Sequence, residues 1–256
     1  MRLLFLGDIV GNCGREAVVG LIPGLRRELN LDFVVVNAEN ISGGKGTTPK
    51  HADQLFASGV DVITGGNHTF QHSELYPYLD RNERILRPIN FPKGVPGHGM
   101  TTFGRLTVIN VIGRTFMAQE VDDPFRAADA AVELAPKGNF ILVDFHGEAT
   151  SEKQAIGWHL DGRVTAVVGT HTHVPTADTR LLPKGTAFCT DAGMCGARDS
   201  IIGDVTEAVL RRFLTQLPTR LGPAEGTAQV NGLLIEAEDR DGRAISIVRC
   251  DHIVEG

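Results

Sequence analysis

Short apolar runs alternate with longer amphipathic segments in the first quarter of the chain. Residues 3–6 and 33–36 are apolar runs of strand length, and residues 15–29 between them repeat their apolar positions at helical spacing. Pro49 marks the first turn of a second helix, which leads to a third apolar run at residues 61–64. This alternation of strand, helix and strand predicts an α/β fold with a parallel sheet covered by helices.

The alternation continues less regularly in the rest of the chain. Residues 87–99 are rich in proline and glycine, which indicates an ordered surface excursion. Residues 230–250 alternate apolar and polar positions around an Asp-Gly turn at residues 241–242, which predicts a hairpin. We find no repeat or linker, so we expect a single domain spanning residues 1–256. The other predicted elements are a hairpin at 101–112, helices at 123–134, 151–160 and 204–217, buried strands at 139–143 and 164–168, and short strands near Arg180 and Ala187.

Carboxylate, amide and imidazole side chains follow five of the apolar runs. Ligands of open α/β sheets bind outside the carboxyl ends of the strands, so we expect these side chains to converge. On an extended backbone His171 and His173 would point to the same side of the chain. Such a mixed set suits divalent manganese, iron or zinc better than calcium or a thiolate-rich structural zinc site. In chain order the residues are Asp8, Glu39 with Asn40, Asn67 with His68, His146, and His171 with His173.

These candidate ligands outnumber what one ion needs. Two ions about 3.5–4 Å apart that share a carboxylate would use them, and such a pair is a recurring clamp for in-line attack on phosphorus. Each residue also has an ordinary structural interpretation: Asp8 could cap a helix, Asn67 could occupy a turn, and His146 could be a hydrogen-bonded core histidine. Their joint occurrence at successive strand ends favours the metal centre.

Two glycine-rich stretches admit nucleotide-binding interpretations. The G-x-x-x-G-x-x-G stretch at residues 7–14 is wrongly spaced for a dinucleotide loop, and Asp8 within it would oppose a pyrophosphate. The SGGKG stretch at residues 42–46 lacks the spacing of a nucleotide-triphosphate loop. It could still act as a lid, with Lys45 as a candidate contact to a substrate phosphate.

Composition excludes several classes of partner. A formal net charge of -6 argues against stable nucleic-acid binding, although a metal could supply local charge for a small phosphorylated ligand. No apolar run reaches membrane-spanning length, and the N-terminal segment turns polar too soon for a signal peptide. The four cysteines lack Cys-x-x-Cys spacing, so we expect reduced thiols and a cytoplasmic location. A homo-oligomer is compatible with the sequence.

Several stretches resemble the motifs of calcineurin-like metallophosphoesterases. The stretches GD at 7–8, GNH at 66–68 and GTHTH at 169–173 carry this resemblance, together with a lone histidine after a strand. The resemblance to the bacterial YmdB-like branch is closer and covers nearly the whole chain. It implies a four-layered α/β/β/α fold, two divalent metal ions and hydrolysis of phosphodiesters, including cyclic nucleotides. The branch-specific stretches are LGDIVG at 6–11, NAEN at 37–40, DFH at 144–146, EATSEK at 148–153 and DAGM at 191–194.

Two departures from the wider superfamily match that branch. Val10 stands where the superfamily has a metal-binding histidine, and Glu39 replaces the usual bridging aspartate, with Asn40 beside it. The resemblance implies His68 as the general acid. By position it assigns Asp8, Glu39, Asn40 and His173 to one ion, and Glu39, Asn67, His146 and His171 to the other.

The sequence therefore predicts a cytoplasmic phosphodiesterase in which a metal-activated hydroxide attacks phosphorus and His68 protonates the leaving alkoxide. Small cyclic nucleotides, 2',3'- or 3',5'-cyclic, are the substrates that the resemblance implies. Iron or manganese is favoured, with zinc or magnesium as alternatives. Two other functions remain open: a phosphomonoesterase with the same ions, and a metal-containing regulatory protein that binds phosphorylated ligands. His68 argues against the regulatory protein, because binding alone needs no acid.

Overall fold

A computed structural model describes residues 1–255. The elements in chain order are β1 Arg2–Leu6, β2 Asp8–Ile9, α1 Gly11–Glu28, β3 Phe33–Asn37, α2 Pro49–Ser58, β4 Val62–Thr64, a 3-10 helix Ser73–Leu75, α3 Tyr76–Arg81, β5 Met100–Phe103, β6 Leu106–Ile112, α4 Pro124–Leu134, β7 Phe140–His146, α5 Thr150–Leu160, β8 Ala166–Thr170, β9 Arg180–Leu181, β10 Ala187–Cys189, β11 Met194–Ala197, α6 Thr206–Thr215, β12 Ala228–Val230, β13 Gly232–Ala237, β14 Ala244–Arg249 and β15 His252–Val254.

The strands form three mixed sheets, which confirms the predicted α/β class. The first has the order β14-β13-β1-β3-β4, the second β5-β6-β7-β8-β10-β9, and a small third β15-β12-β11-β2. The predicted parallel pairing is present between β1, β3 and β4 and between β6, β7, β8 and β10. The hairpins β5–β6 and β13–β14 each add antiparallel strands to a different sheet, so the parallel strands form the centres of mixed sheets.

Three apolar cores separate the sheets and helices. Helix α1 packs through Val18 on one face of the first sheet. The opposite face of that sheet meets the second sheet, with Phe5 and Leu142 in the same cluster. Phe145, on the other face of the second sheet, packs with Ile156 of α5. The central strands are therefore buried on both faces, which explains why they are nearly continuous apolar runs rather than alternating ones.

Some predicted boundaries are wrong at functionally important places. Strands β7 and β8 run on to His146 and Thr170, because the two strands stay paired in register through their polar ends. Helix α1 begins at Gly11 rather than Arg15, and α6 is shorter than predicted, so Asp204 precedes it. Within residues 1–255, no helix combines the length and the apolar character needed to cross a membrane.

Candidate metal centre

The predicted ligands lie where the parallel strands of the first two sheets end. Asp8 follows β1, Glu39 and Asn40 follow β3, Asn67 follows β4, His146 ends β7, and His171 and His173 follow β8. A hydrogen bond of 3.1 Å from Asn37 Nδ2 to Asp144 Oδ2 joins the two sheets behind these ends. The strand ends of both sheets therefore open on one cleft, as the sequence predicts.

Four ligand atoms converge at the end of β7. His146 Nε2 lies 2.8 Å from Asn67 Oδ1, 3.0 Å from His171 Nδ1 and 3.2 Å from Glu39 Oε1. One imidazole nitrogen can donate at most one hydrogen, so it cannot satisfy three acceptors at once. Nitrogen and oxygen lone pairs that face one another in this way are arranged as ligands of a cation. We call these four residues the His146 site.

The tautomer of the His146 ring is set by the hydrogen bond of its other nitrogen, Nδ1. Thr170 Oγ1 lies 2.9 Å from His146 Nδ1 and 2.7 Å from Asp144 Oδ1. Because the hydroxyl gives its single hydrogen to the carboxylate, it accepts the hydrogen on Nδ1, which leaves the lone pair of Nε2 free. Burial raises the pKa of Asp144 to about 7, against hydrogen bonds from Thr64 and Thr170 that lower it.

The imidazoles of the His146 site are held in their neutral form. Burial lowers the pKa of His146 to about 4, and it lowers the pKa of His171 to about 3. Glu148 Oε2 lies 3.2 Å from His171 Nε2, and this carboxylate favours a hydrogen on Nε2 and a free lone pair on Nδ1. Metals bind neutral imidazole, so both histidines are ready to act as ligands at neutral pH.

A second group of candidate ligands includes Asp8, whose side chain is fully buried. Asp8 Oδ1 and Asn40 Oδ1 are buried without a hydrogen-bond partner, and His173 Nε2 lies 4.0 Å from Asp8 Oδ1. The ring of His173 donates through Nδ1 to the carbonyl of Ile202 at 2.7 Å, so its Nε2 is free. Orphaned buried oxygens are rare in proteins, and a bound cation is one way to satisfy such an oxygen. We call Asp8, Asn40 and His173 the Asp8 site.

Glu39 contacts the His146 site with one carboxylate oxygen and the backbone of His68 with the other. Its Oε1 belongs to the His146 site, and its Oε2 accepts a 2.9 Å hydrogen bond from the backbone N–H of His68. Burial raises the pKa of Glu39, and nearby histidines oppose that shift. A Cβ at Gly66 would collide with Glu39 Oε2 and with the His146 imidazole, so only glycine fits beside the cluster.

The loop after β8 departs from the sequence prediction. His171 and His173 have φ values of 100° and 66°, in the left-handed region, so the prediction that they point the same way from an extended backbone is wrong. Asp191 Oδ2 holds the loop by accepting from the backbone N–H of Thr172 at 3.2 Å and from its hydroxyl at 2.7 Å. Lys153, buried in α5, pairs with the same oxygen at 2.6 Å. The bend places the two imidazoles in different sites.

His68 and Lys45 line the cleft over the two sites, which has a volume of about 300 Å³. Burial lowers the pKa of His68, while the charge of Glu39 opposes this. Glu148 and Asp204 line the same cleft, and the sequence interpretation assigned no role to either. Glu148 could have been found from the sequence, because a carboxylate two residues after a candidate ligand, His146, is expected to lie near the same strand end.

Comparisons with other proteins identify the family of this chain. Residues 4–250 match the family described as "YmdB-like protein". A 2',3'-cyclic-nucleotide 2'-phosphodiesterase of Bacillus subtilis (strain 168) is 47% identical over 254 residues, covering 97% of this chain and 96% of that protein. Among solved structures, a protein of Thermus thermophilus superposes with a TM-score of 0.93 at 42% identity, with full coverage of both chains.

A further solved structure, described as a novel phosphatase of Mycoplasma pneumoniae, superposes with a TM-score of 0.92 at 33% identity. The match covers 100% of this chain and 94% of the Mycoplasma chain. The family match, the Bacillus relative and both structures thus extend over almost the whole chain. The chain belongs to the YmdB-like family.

Proposed function

We propose that the protein is a phosphodiesterase that uses two divalent metal ions to hydrolyse cyclic nucleotides, with 2',3'-cyclic nucleotides as its preferred substrates. The observation that carries the proposal is the convergence of Asn67, His171 and Glu39 on His146 Nε2 beside an open cleft. The activity named for the Bacillus relative at 47% identity supports the substrate class.

The donor set fits the metals. One ion would be held by the His146 site and a second by the Asp8 site, with Glu39 between them as a shared ligand. Bound divalent ions would supply positive charge to the phosphoryl oxygens and a nucleophile formed from water at neutral pH. Nitrogen and oxygen donors without thiolate favour iron or manganese, with zinc or magnesium as alternatives.

The protein's own side chains would do the remaining work. His68 lines the cleft and would give a proton to the leaving alkoxide. Lys45, at the rim of the same cleft, would attract the substrate phosphate. Thr170 would keep the His146 imidazole in the tautomer that leaves Nε2 free.

We further propose that the three apolar cores are the interlayer spaces of a four-layered α/β/β/α sandwich forming one domain. The shared cluster of Phe5 and Leu142 between two sheets supports the central layers. The candidate centre draws residues from Asp8 to His173, and β13 pairs with β1, which supports a single domain. The four cysteines are free thiols, which supports a cytoplasmic location.

A phosphomonoesterase is the second candidate, and the similarity to the Mycoplasma phosphatase favours it. The test is to load the protein with Mn²⁺ and to compare 2',3'-cyclic AMP, 3',5'-cyclic AMP, bis-nitrophenyl phosphate and mono-nitrophenyl phosphate as substrates. We expect turnover of the diesters, with 3'-AMP as the product of 2',3'-cyclic AMP. Hydrolysis of the monoester alone would contradict the phosphodiesterase. His146→Ala is the matched control, since contaminating activity would survive it.

A further inference from the structure

A second cavity of about 510 Å³ adjoins the cleft over the metal centre. Gly44, Lys45 and Asp204 line both spaces, so the two are continuous. The far wall of the second cavity carries Arg212, in the last turn of α6, and Arg220, from the segment that follows. A molecule whose reacting group lies at the metal centre can therefore extend one group further into this second cavity.

The cations of the second cavity make no close ion pair. Among residues 1–255, no carboxylate pairs with Lys45, Arg212 or Arg220, and their side chains make no hydrogen bond. The chain as a whole has a net charge of -6, so three unpaired cations around one cavity are a local excess of positive charge. Arginine side chains bind phosphate through paired N–H groups, and lysine binds it as a point charge.

The backbone of Lys45 is held at the junction of the two spaces. The backbone N–H of Lys45 donates to the carbonyl of Ser42 at 3.3 Å, and the ring of His72 binds the carbonyl of Lys45 at 2.9 Å. The flanking Gly44 and Gly46 have positive φ, which turns the loop back on itself. Asp204, the one acidic side chain on this wall, also lies at the junction, where a sugar hydroxyl rather than a phosphate would meet it.

We propose that this second cavity binds a second phosphate of the substrate, attached to the 5' oxygen of the nucleotide whose cyclic phosphate lies at the metal centre. This inference rests on the proposed function. The shared chemistry is a phosphate one ribose away from the cyclic phosphate. It is present in a 5'-phosphorylated mononucleotide and in the terminal dinucleotide of an RNA fragment that ends in a 2',3'-cyclic phosphate.

A binding measurement tests the inference without turnover. Calorimetry on the Mn²⁺-loaded protein would compare adenosine 3',5'-bisphosphate with adenosine 3'-monophosphate. We expect the bisphosphate to bind about tenfold more tightly, the worth of one good charge-assisted contact. Arg212→Gln and Arg220→Gln should each reduce that advantage, whereas Arg211→Gln, on the same helix but outside the cavity, should keep it. Equal affinities of the two ligands, or equal losses in all three variants, would overturn the inference.

A kinetic comparison identifies the source of the phosphate. The substrates are 2',3'-cyclic AMP, its 5'-phosphorylated form, and a diadenosine ending in a 2',3'-cyclic phosphate. A higher kcat/KM for the 5'-phosphorylated mononucleotide and for the diadenosine than for 2',3'-cyclic AMP supports phosphate binding in the second cavity. Whichever of these two substrates has the higher kcat/KM identifies the natural source of the phosphate. Equal kcat/KM for all three would contradict the inference while leaving the phosphodiesterase intact. Tighter bisphosphate binding without hydrolysis of any cyclic substrate would instead refute the proposed function and keep the second site.

Discussion

At the His146 site three candidate ligand atoms lie within 3.2 Å of His146 Nε2. At the Asp8 site His173 Nε2 lies 4.0 Å from Asp8 Oδ1, and two buried oxygens have no hydrogen-bond partner. The first arrangement is already assembled, and the second must contract around an ion. Pre-assembled sites bind more tightly because little ordering remains to be done on binding. We therefore expect the His146 site to have the higher metal affinity.

The difference follows from the elements that carry the ligands. His146 ends a strand paired on both sides, and Thr170 and Asp144 hold its ring. His173 lies in a loop and is held through the carbonyl of Ile202, an exposed residue with a φ of 50°. Ligands on strands are positioned more firmly than ligands on loops. The proposed function requires both sites, so the weaker one would limit activity when metal is scarce.

Glu39→Gln should have the largest effect on metal content, because it removes a charge and a ligand from both sites together. We expect both ions to be lost and activity on bis-nitrophenyl phosphate to fall by about 10³-fold, since metals supply several kcal/mol of transition-state stabilisation. Metal content and turnover of the purified variant would be measured together. Asp204→Asn, a cleft carboxylate outside both sites, is the control and should retain both ions. Loss of a single ion from Glu39→Gln would show that Glu39 serves only one site.

His68→Ala should leave both sites filled and reduce turnover in a way that depends on the substrate. A general acid contributes about 10²–10⁴-fold when the leaving group is a poor one, such as a ribose oxygen. We expect a loss of that size on 2',3'-cyclic AMP and a much smaller loss on bis-nitrophenyl phosphate, because nitrophenolate leaves readily without a proton. Equal losses on both substrates would mean that His68 positions the phosphate instead, and a missing ion would make it a ligand.

Thr170→Val should change the metal affinity of one site and not of the other. The substitution keeps the shape of the side chain but removes the hydroxyl between Asp144 and His146. We expect Mn²⁺ affinity at the His146 site to fall about 10–100-fold, as for other partners that orient a metal-binding histidine, with little change at the Asp8 site. Thr170→Ser keeps the hydroxyl and should behave like the unmodified protein. Equal weakening of both sites by Thr170→Val would show that the strand, not the tautomer, was disturbed.

Thr172→Val should have the smallest effect and should act on both sites. The hydroxyl of Thr172 donates to Asp191 at 2.7 Å, within the loop that carries His171 and His173. Removing that bond costs about 1 kcal/mol, so we expect each Mn²⁺ affinity to fall by no more than about tenfold. Calorimetric titration of the variant would measure both affinities, and a change confined to one site would contradict the shared role of the loop.

The candidate ligands were predicted from the sequence by a simple rule. Parallel strands buried on both faces are apolar, so a polar residue directly after an apolar run marks a strand end, and in an α/β fold the strand ends meet. This rule placed Glu39 at the cleft that the structure shows, and Asp8 and Asn67 at the neighbouring strand ends. It misplaced the ends of β7 and β8, because backbone pairing continues through Asp144 and Thr170 although these residues are polar.

The sequence could not predict features that depend on distant contacts. The left-handed turn at residues 171–173 depends on Asp191, almost twenty residues further along the chain, which pairs with the loop only after folding. The roles of Thr170 and Glu148 depend on which ring nitrogen faces the cleft, a property that spacing does not encode. The second cavity likewise joins Lys45 to Arg212, which are far apart in the sequence.

Calorimetric titration of the metal-depleted protein with Mn²⁺ tests the two-site centre most directly. Because the His146 site is better assembled than the Asp8 site, we expect two binding events of different affinity per chain. The tighter event should be the one that Thr170→Val weakens. Glu39→Gln should abolish both events. A single binding event per chain, or two events that survive Glu39→Gln unchanged, would contradict a dinuclear centre built around Glu39.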